Sequence, residues 1–273
     1  MQTILTLRLV ARISGWIHRF ITSIQTLGLI NTSTIFLSSR RGNALRTIAL
    51  PNKQLFYFQP RYDQGVLSHF YKEGYFIEDS AGCRVQTIID GGANIGDETA
   101  RFHIHHPAAA IVAVEAAERN FSILQKTFAN NPAVHLIHGA VWPTQTRLQL
   151  NAATSMEAFH VTETESPVNS VAAWTIPAIM ENRGWSTIDI LKLDIEGAEY
   201  EVFTRNYANW IERVRCFIFE VPDNDRVGTT QQIYRALNAR DYSTYVCGEN
   251  IVLIRSDTPW RLHKVIGFHR SDS

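Results

Sequence analysis

The period of apolar and polar positions changes at about residue 85. From there to residue 255, short apolar runs alternate with segments in which apolar residues recur every three or four positions. The runs are typical of buried strands and the segments of helices. This alternation predicts an α/β fold, a mostly parallel sheet with helices on both faces. The predicted strands are 85–89, 111–115, 134–141, 188–194, 216–221, 242–247 and 250–255, and the predicted helices are 96–106, 119–130, 198–208 and 229–240.

Residues 4–27 carry an apolar stripe at helical spacing, which three arginines interrupt. The pattern predicts an amphipathic helix. Three interpretations stay open: a helix packed on the body of the domain, a helix lying at a membrane interface, or an organelle transit peptide. We reject a membrane span for the uncharged stretch 20–39, because serine, threonine, asparagine and glutamine occur throughout it.

The patterns divide the chain into four predicted segments. A basic amphipathic N-terminal extension covers 1–36, a lead-in or lid of short strands and turns covers 37–84, the α/β domain covers 85–255 and a peripheral C-terminal tail covers 256–273. Inside the α/β domain, the polar stretch 151–167 predicts a long loop or irregular edge.

Composition supports a globular chain with an uneven charge distribution. The 273 residues are 45% apolar and 19% charged, which excludes a disordered chain. The net charge is zero, so we expect no nucleic-acid partner. Eight basic residues precede the first acidic one, Asp63. This excess of positive charge indicates that the N-terminal segment contacts a negatively charged partner, such as a membrane surface. The three cysteines are widely spaced, as in a cytoplasmic protein, and the sequence indicates no oligomeric state.

The strongest motif is an apolar strand that ends in Asp90 and continues into a glycine-rich turn. Ligands of open α/β sheets bind at the carboxyl ends of strands, where such turns lie. The spacing does not fit G-x-G-x-x-G, and Asp97 stands where a phosphate-binding loop has lysine. A carboxylate at Asp90 suits the amino group of S-adenosylmethionine better than a pyrophosphate. The candidate cofactor-binding residues of the turn are Asp90, Gly91, Gly92, Ala93, Asn94 and Gly96.

Two further strands carry carboxylates toward the same edge of the sheet. Glu115 ends the next strand, 25 positions after Asp90, where an acid can accept hydrogen bonds from a ribose diol. The strand 188–194 ends in Asp194, and Glu196 and Glu199 follow at the start of a helix. Charge at a helix N-terminus also has a purely structural explanation, which stays open for both glutamates.

These pieces, in this order, resemble the FkbM family of S-adenosylmethionine-dependent methyltransferases. The matching stretches are 89–96, the strand end at Glu115, and 191–199. The resemblance spans about residues 54–254 and implies the Rossmann-like class I methyltransferase fold, with a seven-stranded sheet and the N-terminal segments as an extension. It also implies O-methylation of a hydroxyl on a sugar, glycolipid or secondary metabolite, so the expected partner is a small-molecule or glycan acceptor. The chain departs from the pattern of this family in two places. It has Ala116 where many members have proline, and it lacks a Thr-Leu-Asp stretch.

An acceptor hydroxyl must lose its proton as it attacks, so a base is required. We assign Asp194 to this role, with Glu196 second. A magnesium-assisted variant, with Asp194 and Glu220 at neighbouring strand ends, is an alternative for which no metal ligands are assigned. Two other functions stay open: a catalytically silent cofactor-binding domain that recruits partners, and a nucleotide-dependent enzyme on a related sheet.

Overall fold

Strands and helices alternate from residue 87 to residue 138 and again from residue 170 to residue 220, as the sequence predicts, and a run of strands lies between these two parts. The computed structural model describes residues 2–37, 42–152, 159–166, 168–220, 223, 226–237 and 241–270. The helices are α1 (Gln2–Leu37), α2 (Gln64–Leu67), α3 (Asp97–His105), α4 (Glu118–Phe128), α5 (Ile176–Arg183), α6 (Glu199–Thr204) and α7 (Thr229–Ala236). The strands are β1 (Arg46–Ala49), β2 (Leu55–Phe58), β3 (Glu73–Glu78), β4 (Thr87–Gly91), β5 (Ala110–Glu115), β6 (Val134–His138), β7 (Ala140–Val141), β8 (Arg147–Ala152), β9 (Phe159–Thr164), β10 (Ser170–Trp174), β11 (Ile188–Leu193), β12 (Val214–Glu220), β13 (Tyr242–Cys247), β14 (Asn250–Arg255), β15 (Arg261–Ile266) and β16 (His269–Arg270).

The central sheet has seven strands in the order β13-β14-β12-β11-β4-β5-β6. The five strands from β12 to β6 are parallel, and β14 runs antiparallel to both β12 and β13. Every residue of β11 is buried, as expected for a central strand with both faces covered. This arrangement confirms the predicted Rossmann-like class I methyltransferase fold. Because β4, β5, β11 and β12 are parallel, their carboxyl ends meet at one edge.

Two sequence predictions in this region are wrong. The single strand predicted over 134–141 is two strands, because it is interrupted at Gly139, where a Cβ would lie 2.6 Å from the carbonyl oxygen of Ala172. The stretch 151–167, predicted as a long loop or irregular edge, contributes regular strands to a second sheet of order β7-β10-β8-β9, in which β9 is the edge strand. Its many polar residues are compatible with strands because one face of an antiparallel sheet can meet water. Residues 153–158 and 167 lie outside the described part.

The chain forms two compact units, residues 1–76 with 263–273 and residues 77–262. The first unit contains α1, the β1-β2 hairpin and a sheet of order β16-β15-β3 into which the end of the chain enters. Within that unit Val265 and Phe268 are buried, and Phe268 stacks on Phe70 at 5.3 Å, whereas the sequence analysis expected a peripheral tail.

Helix α1 confirms the predicted helix over 4–27 but folds back at Gly28, whose φ of 78° and ψ of 166° are not helical. Thr32 Oγ1 donates to Ser23 Oγ at 3.1 Å, and the rings of Phe20 and Phe36 lie 5.3 Å apart. In a continuous helix these pairs would be separated by roughly 14 and 24 Å. The window Phe20–Leu37 has the length and hydropathy of a membrane-spanning helix, which its polar residues led us to reject. In this structure the window is a hairpin.

Candidate functional site

Asp90 lies at the end of β4 and is completely buried. Its Oδ2 accepts a hydrogen bond from Thr99 Oγ1 at 2.5 Å, which ties the strand end to α3. Burial raises the pKa of Asp90 to about 6, although nearby Lys192 and the Thr99 hydroxyl act in the opposite direction. Complete burial gives Asp90 a supporting position behind the turn, whereas the sequence analysis expected it to face the ligand.

Lys192 connects two of the predicted carboxylates, and the sequence analysis did not single it out. Its Nζ lies 3.1 Å from Asp194 Oδ2 and 3.7 Å from Asp90 Oδ1. Burial by itself would lower the pKa of Lys192, but the charges of Asp194 and Asp90 outweigh it and raise that pKa. The ammonium group is therefore held positive between the two carboxylates. A lysine inside an otherwise apolar strand was the available signal, since buried lysines need a partner.

Glu115 ends β5 and is held by the turn beside it. Its carboxylate accepts hydrogen bonds from the backbone N–H groups of Asn94 and Ala117, each at 2.8 Å. Burial raises the pKa of Glu115 to about 7, against the lowering effect of these two bonds. A carboxylate has about four acceptor positions, so two remain for further donors. The geometry fixes the side chain and leaves it able to accept from a diol.

The glycine-rich turn is shaped by its own packing. The N–H groups of Gly92 and Ala93 both donate to the carbonyl oxygen of Val114, and Asp194 N–H donates to the Gly91 carbonyl at 3.0 Å. Gly92 has a φ of 77°, and a Cβ there would overlap the Asp194 carbonyl. At Gly96 a Cβ would lie 2.6 Å from both Leu124 and Phe128. Contacts within the protein and the left-handed backbone therefore require glycine at both positions.

Asp194 and Glu220 stand side by side at the ends of β11 and β12, where Leu193 pairs with Phe219. Burial raises the pKa of Glu220 to about 8, and the charge of Asp194 and a hydrogen bond to its carboxylate add to the rise. A protonated Glu220 therefore donates a hydrogen bond to the Asp194 carboxylate. In the metal-free protein, the proton on Glu220 and the Lys192 ammonium balance the negative charge here. Within the described part of the chain, no third histidine, cysteine or carboxylate lies close enough to Asp194 and Glu220 to hold a metal ion with them.

The remaining two acids of the motif play different parts. Glu199 is buried at the start of α6, and its Oε1 accepts from the Ile195 N–H at 2.7 Å. This bond closes the turn, so the structural explanation applies to Glu199. Glu196 is half-buried within the turn and has a left-handed φ of 56°, followed by Gly197 at 87°.

Asp189, at the opposite end of β11, is also buried, and the sequence analysis missed it. It accepts from the N–H groups of Gln86 and Thr87 at 2.7 and 3.1 Å and pairs with Arg215 at 2.8 Å. These bonds join the beginnings of β4, β11 and β12. Its role is structural, and only its position in an apolar strand indicated it.

A protein family and several solved structures are similar to this chain. The family model described as "Methyltransferase FkbM domain" matches residues 90–244, more than half of the chain. No curated protein matches. Among solved structures, the archaeal fibrillarin pre-rRNA processing protein of Methanococcus jannaschii shares 12% identity and a TM-score of 0.40, over 77% of this chain and 81% of that one. The N-terminal domain of human METTL16 in complex with SAH shares 12% identity and a TM-score of 0.38, over 65% and 64%.

The chain thus spans less than two thirds of that METTL16 domain, and likeness at this identity concerns the fold alone. The family match covers both strand ends that carry Asp90 and Glu115, the 191–199 stretch and Glu220. The chain belongs to the FkbM methyltransferase family.

Proposed function

We propose that this protein transfers a methyl group from S-adenosylmethionine to a hydroxyl group of a small molecule or glycan. One observation carries the proposal. At the carboxyl ends of three neighbouring parallel strands, β11, β4 and β5, lie Asp194, Asp90 and Glu115, and Lys192 lies between the first two. The carboxyl ends of such strands are where α/β enzymes bind ligands.

The cofactor would be held by the turn between β4 and α3 and by Glu115. The two unused acceptor positions of Glu115 suit the ribose hydroxyls. The turn, with Gly91, Gly92, Ala93, Asn94 and Gly96 as the proposed contacts, brings backbone close to the cofactor's amino-acid portion. Asp90 acts through the turn and through Lys192 because its own side chain is buried.

Bound S-adenosylmethionine supplies an electrophilic methyl group on a sulfonium. As the acceptor oxygen bonds to the methyl carbon, the carbon–sulfur bond breaks and its electron pair stays on sulfur. Asp194 takes the proton that the hydroxyl loses. Lys192 orients the Asp194 carboxylate, and Glu220 controls how readily that carboxylate accepts a proton. Glu196 is the second candidate for the base.

The charge of the second unit favours a neutral acceptor over a nucleic acid. Residues 77–262, which contain all of these groups, carry 23 acidic and 15 basic residues. Proteins that bind nucleic acids gain most of their affinity from basic residues on the phosphate backbone. An excess of acid around the site disfavours such a substrate.

The test uses S-adenosylmethionine labelled in the methyl group. The panel holds methyl glycosides, free sugars and catechol, with a carboxylic acid and a primary amine as competing acceptors. We expect label transfer to at least one of the hydroxyl compounds, with one S-adenosylhomocysteine formed for each label. The labelled product should survive mild alkali, because methyl ethers are stable to base and methyl esters are not. Alkali-labile label, or label on the nitrogen of an amine acceptor, would contradict O-methylation. Cofactor binding without transfer to any acceptor would favour the catalytically silent alternative.

A further inference from the structure

The hairpin of α1 buries mostly small polar side chains, together with Leu27 and Ile35, and exposes several large apolar ones. Four of the six side chains buried between residues 20 and 37 are serine or threonine, namely Thr22, Ser23, Thr26 and Thr32. Thr26 Oγ1 donates to the Thr22 carbonyl at 3.0 Å, and Thr32 donates to Ser23 across the hairpin. Small and hydroxyl-bearing residues at helix contacts are typical of helices that pack in lipid.

Large apolar side chains of the same hairpin point to solvent. The exposed fractions are 50% for Ile21, 62% for Leu29, 83% for Ile30 and 82% for Leu37. We call these four residues the apolar hairpin surface. Leu29 and Ile30 follow Gly28 directly, so they lie where the chain reverses. Exposed apolar groups gathered on one segment indicate a binding surface, whereas isolated ones need no explanation.

The charge around this surface indicates what it binds. The first unit carries 11 basic residues and three acidic ones, and no acidic residue precedes Asp63. Among the basic residues that the structure describes, Arg46, Lys53 and Arg61 are exposed. In the sequence, Arg40 and Arg41 follow the hairpin shortly after Leu37. Apolar side chains next to excess positive charge complement a bilayer with anionic lipids.

The second limb of the hairpin, residues 29–37, reaches roughly 13 Å, less than half of a hydrocarbon core of about 30 Å. Asn31 of this limb exchanges hydrogen bonds of 2.6 and 3.0 Å with Ala49 of β1, so the limb stays packed on its own unit and only its exposed side chains can enter a leaflet. We propose that the apolar hairpin surface inserts into one leaflet of a membrane that carries anionic lipids. The proposal concerns attachment and is independent of the methyl-transfer reaction.

The test is co-sedimentation of the full chain with two kinds of vesicles, phosphatidylcholine alone and phosphatidylcholine with an equal amount of phosphatidylglycerol. We expect binding to the mixed vesicles, weakened by salt. The double substitution Leu29→Asp with Ile30→Asp should lower the partition coefficient about tenfold for each lost apolar side chain. The matched control is Val227→Asp with Val246→Asp, which adds the same charge at side chains that are 90% and 67% exposed in the second unit.

A second variant separates lost apolar area from added negative charge. Leu29→Ser with Ile30→Ser is uncharged, touches only exposed side chains and should still lose most vesicle binding. Equal vesicle binding by wild type and both hairpin variants would overturn the proposal. Absence of binding to the mixed vesicles would also overturn the proposal. Two assays run in parallel would then identify the occupant: binding to a duplex oligonucleotide would indicate a polyanion, and self-association in gel filtration would indicate a second copy of the chain.

Discussion

The substitution Asp194→Asn lowers the rate of methyl transfer by about a hundredfold to ten-thousandfold, which is the contribution of a general base. Asparagine keeps the size of the side chain and still accepts a hydrogen bond from Lys192, but it takes up no proton. Affinity for S-adenosylmethionine should change little, because the proposed ribose contact is Glu115. Rate and affinity are measured separately, by S-adenosylhomocysteine formation and by calorimetry. Glu196→Gln should lower the rate by a smaller factor, and Glu181→Gln, on the exposed face of α5, should not change it.

The pH dependence distinguishes a base from a merely structural acid. Below about pH 8, Glu220 is protonated and donates a hydrogen bond to Asp194. Above about pH 8, Glu220 ionises, and the pair of carboxylates then takes up a proton from the acceptor more readily. The wild-type rate should therefore rise as pH increases through about 8. In Glu220→Gln this rise should disappear, because glutamine donates at every pH. Full activity of Asp194→Asn, or an unchanged pH profile in Glu220→Gln, would contradict the assignment.

The second large effect concerns stability. Gly92→Ala introduces a Cβ that overlaps the Asp194 carbonyl at a backbone φ of 77°. The clash and the strained conformation together should cost about 3 kcal/mol or more of unfolding free energy, measured by urea denaturation. Because the turn and the end of β11 must then separate, the variant should also lose cofactor binding.

Gly184→Ala is the matched control. Gly184 ends α5 with a φ of 68°, and a Cβ there meets no atom within 4 Å. It carries the backbone strain without the clash, so its cost should be about 1 kcal/mol. Equal destabilisation by the two variants would show that the packing of Gly92 against Asp194 is not what requires glycine.

Much of the fold could be predicted from the sequence because the spacing of apolar residues changes sharply between the predicted helices and the predicted strands. The strands that carry Asp90, Glu115 and Asp194 are short apolar runs, and each lies within two residues of its predicted position at both ends. Parallel pairing then brings their ends together without further information. The resemblance to the FkbM family rested on these same strand ends, and the family match confirmed it.

Other features depended on contacts between distant residues. Nothing in the local pattern of 151–167 distinguishes a polar loop from the antiparallel pair β8-β9, since half of such a strand faces water. Lys192 alternates with apolar neighbours, and only the register of β11 beside β4 places it near Asp90. The reversal at Gly28 was also missed, because a single glycine inside a helical pattern is usually tolerated.

The central claim is that the edge formed by β11, β4 and β5 binds S-adenosylmethionine, and isothermal titration calorimetry tests it most directly. Wild type should bind S-adenosylmethionine and S-adenosylhomocysteine and should not bind NAD. Glu115→Ala should weaken both by about tenfold or more through the lost charged hydrogen bonds, while Glu181→Ala should bind as wild type does. Tighter binding of NAD, or unchanged affinity in Glu115→Ala, would contradict the account of this site.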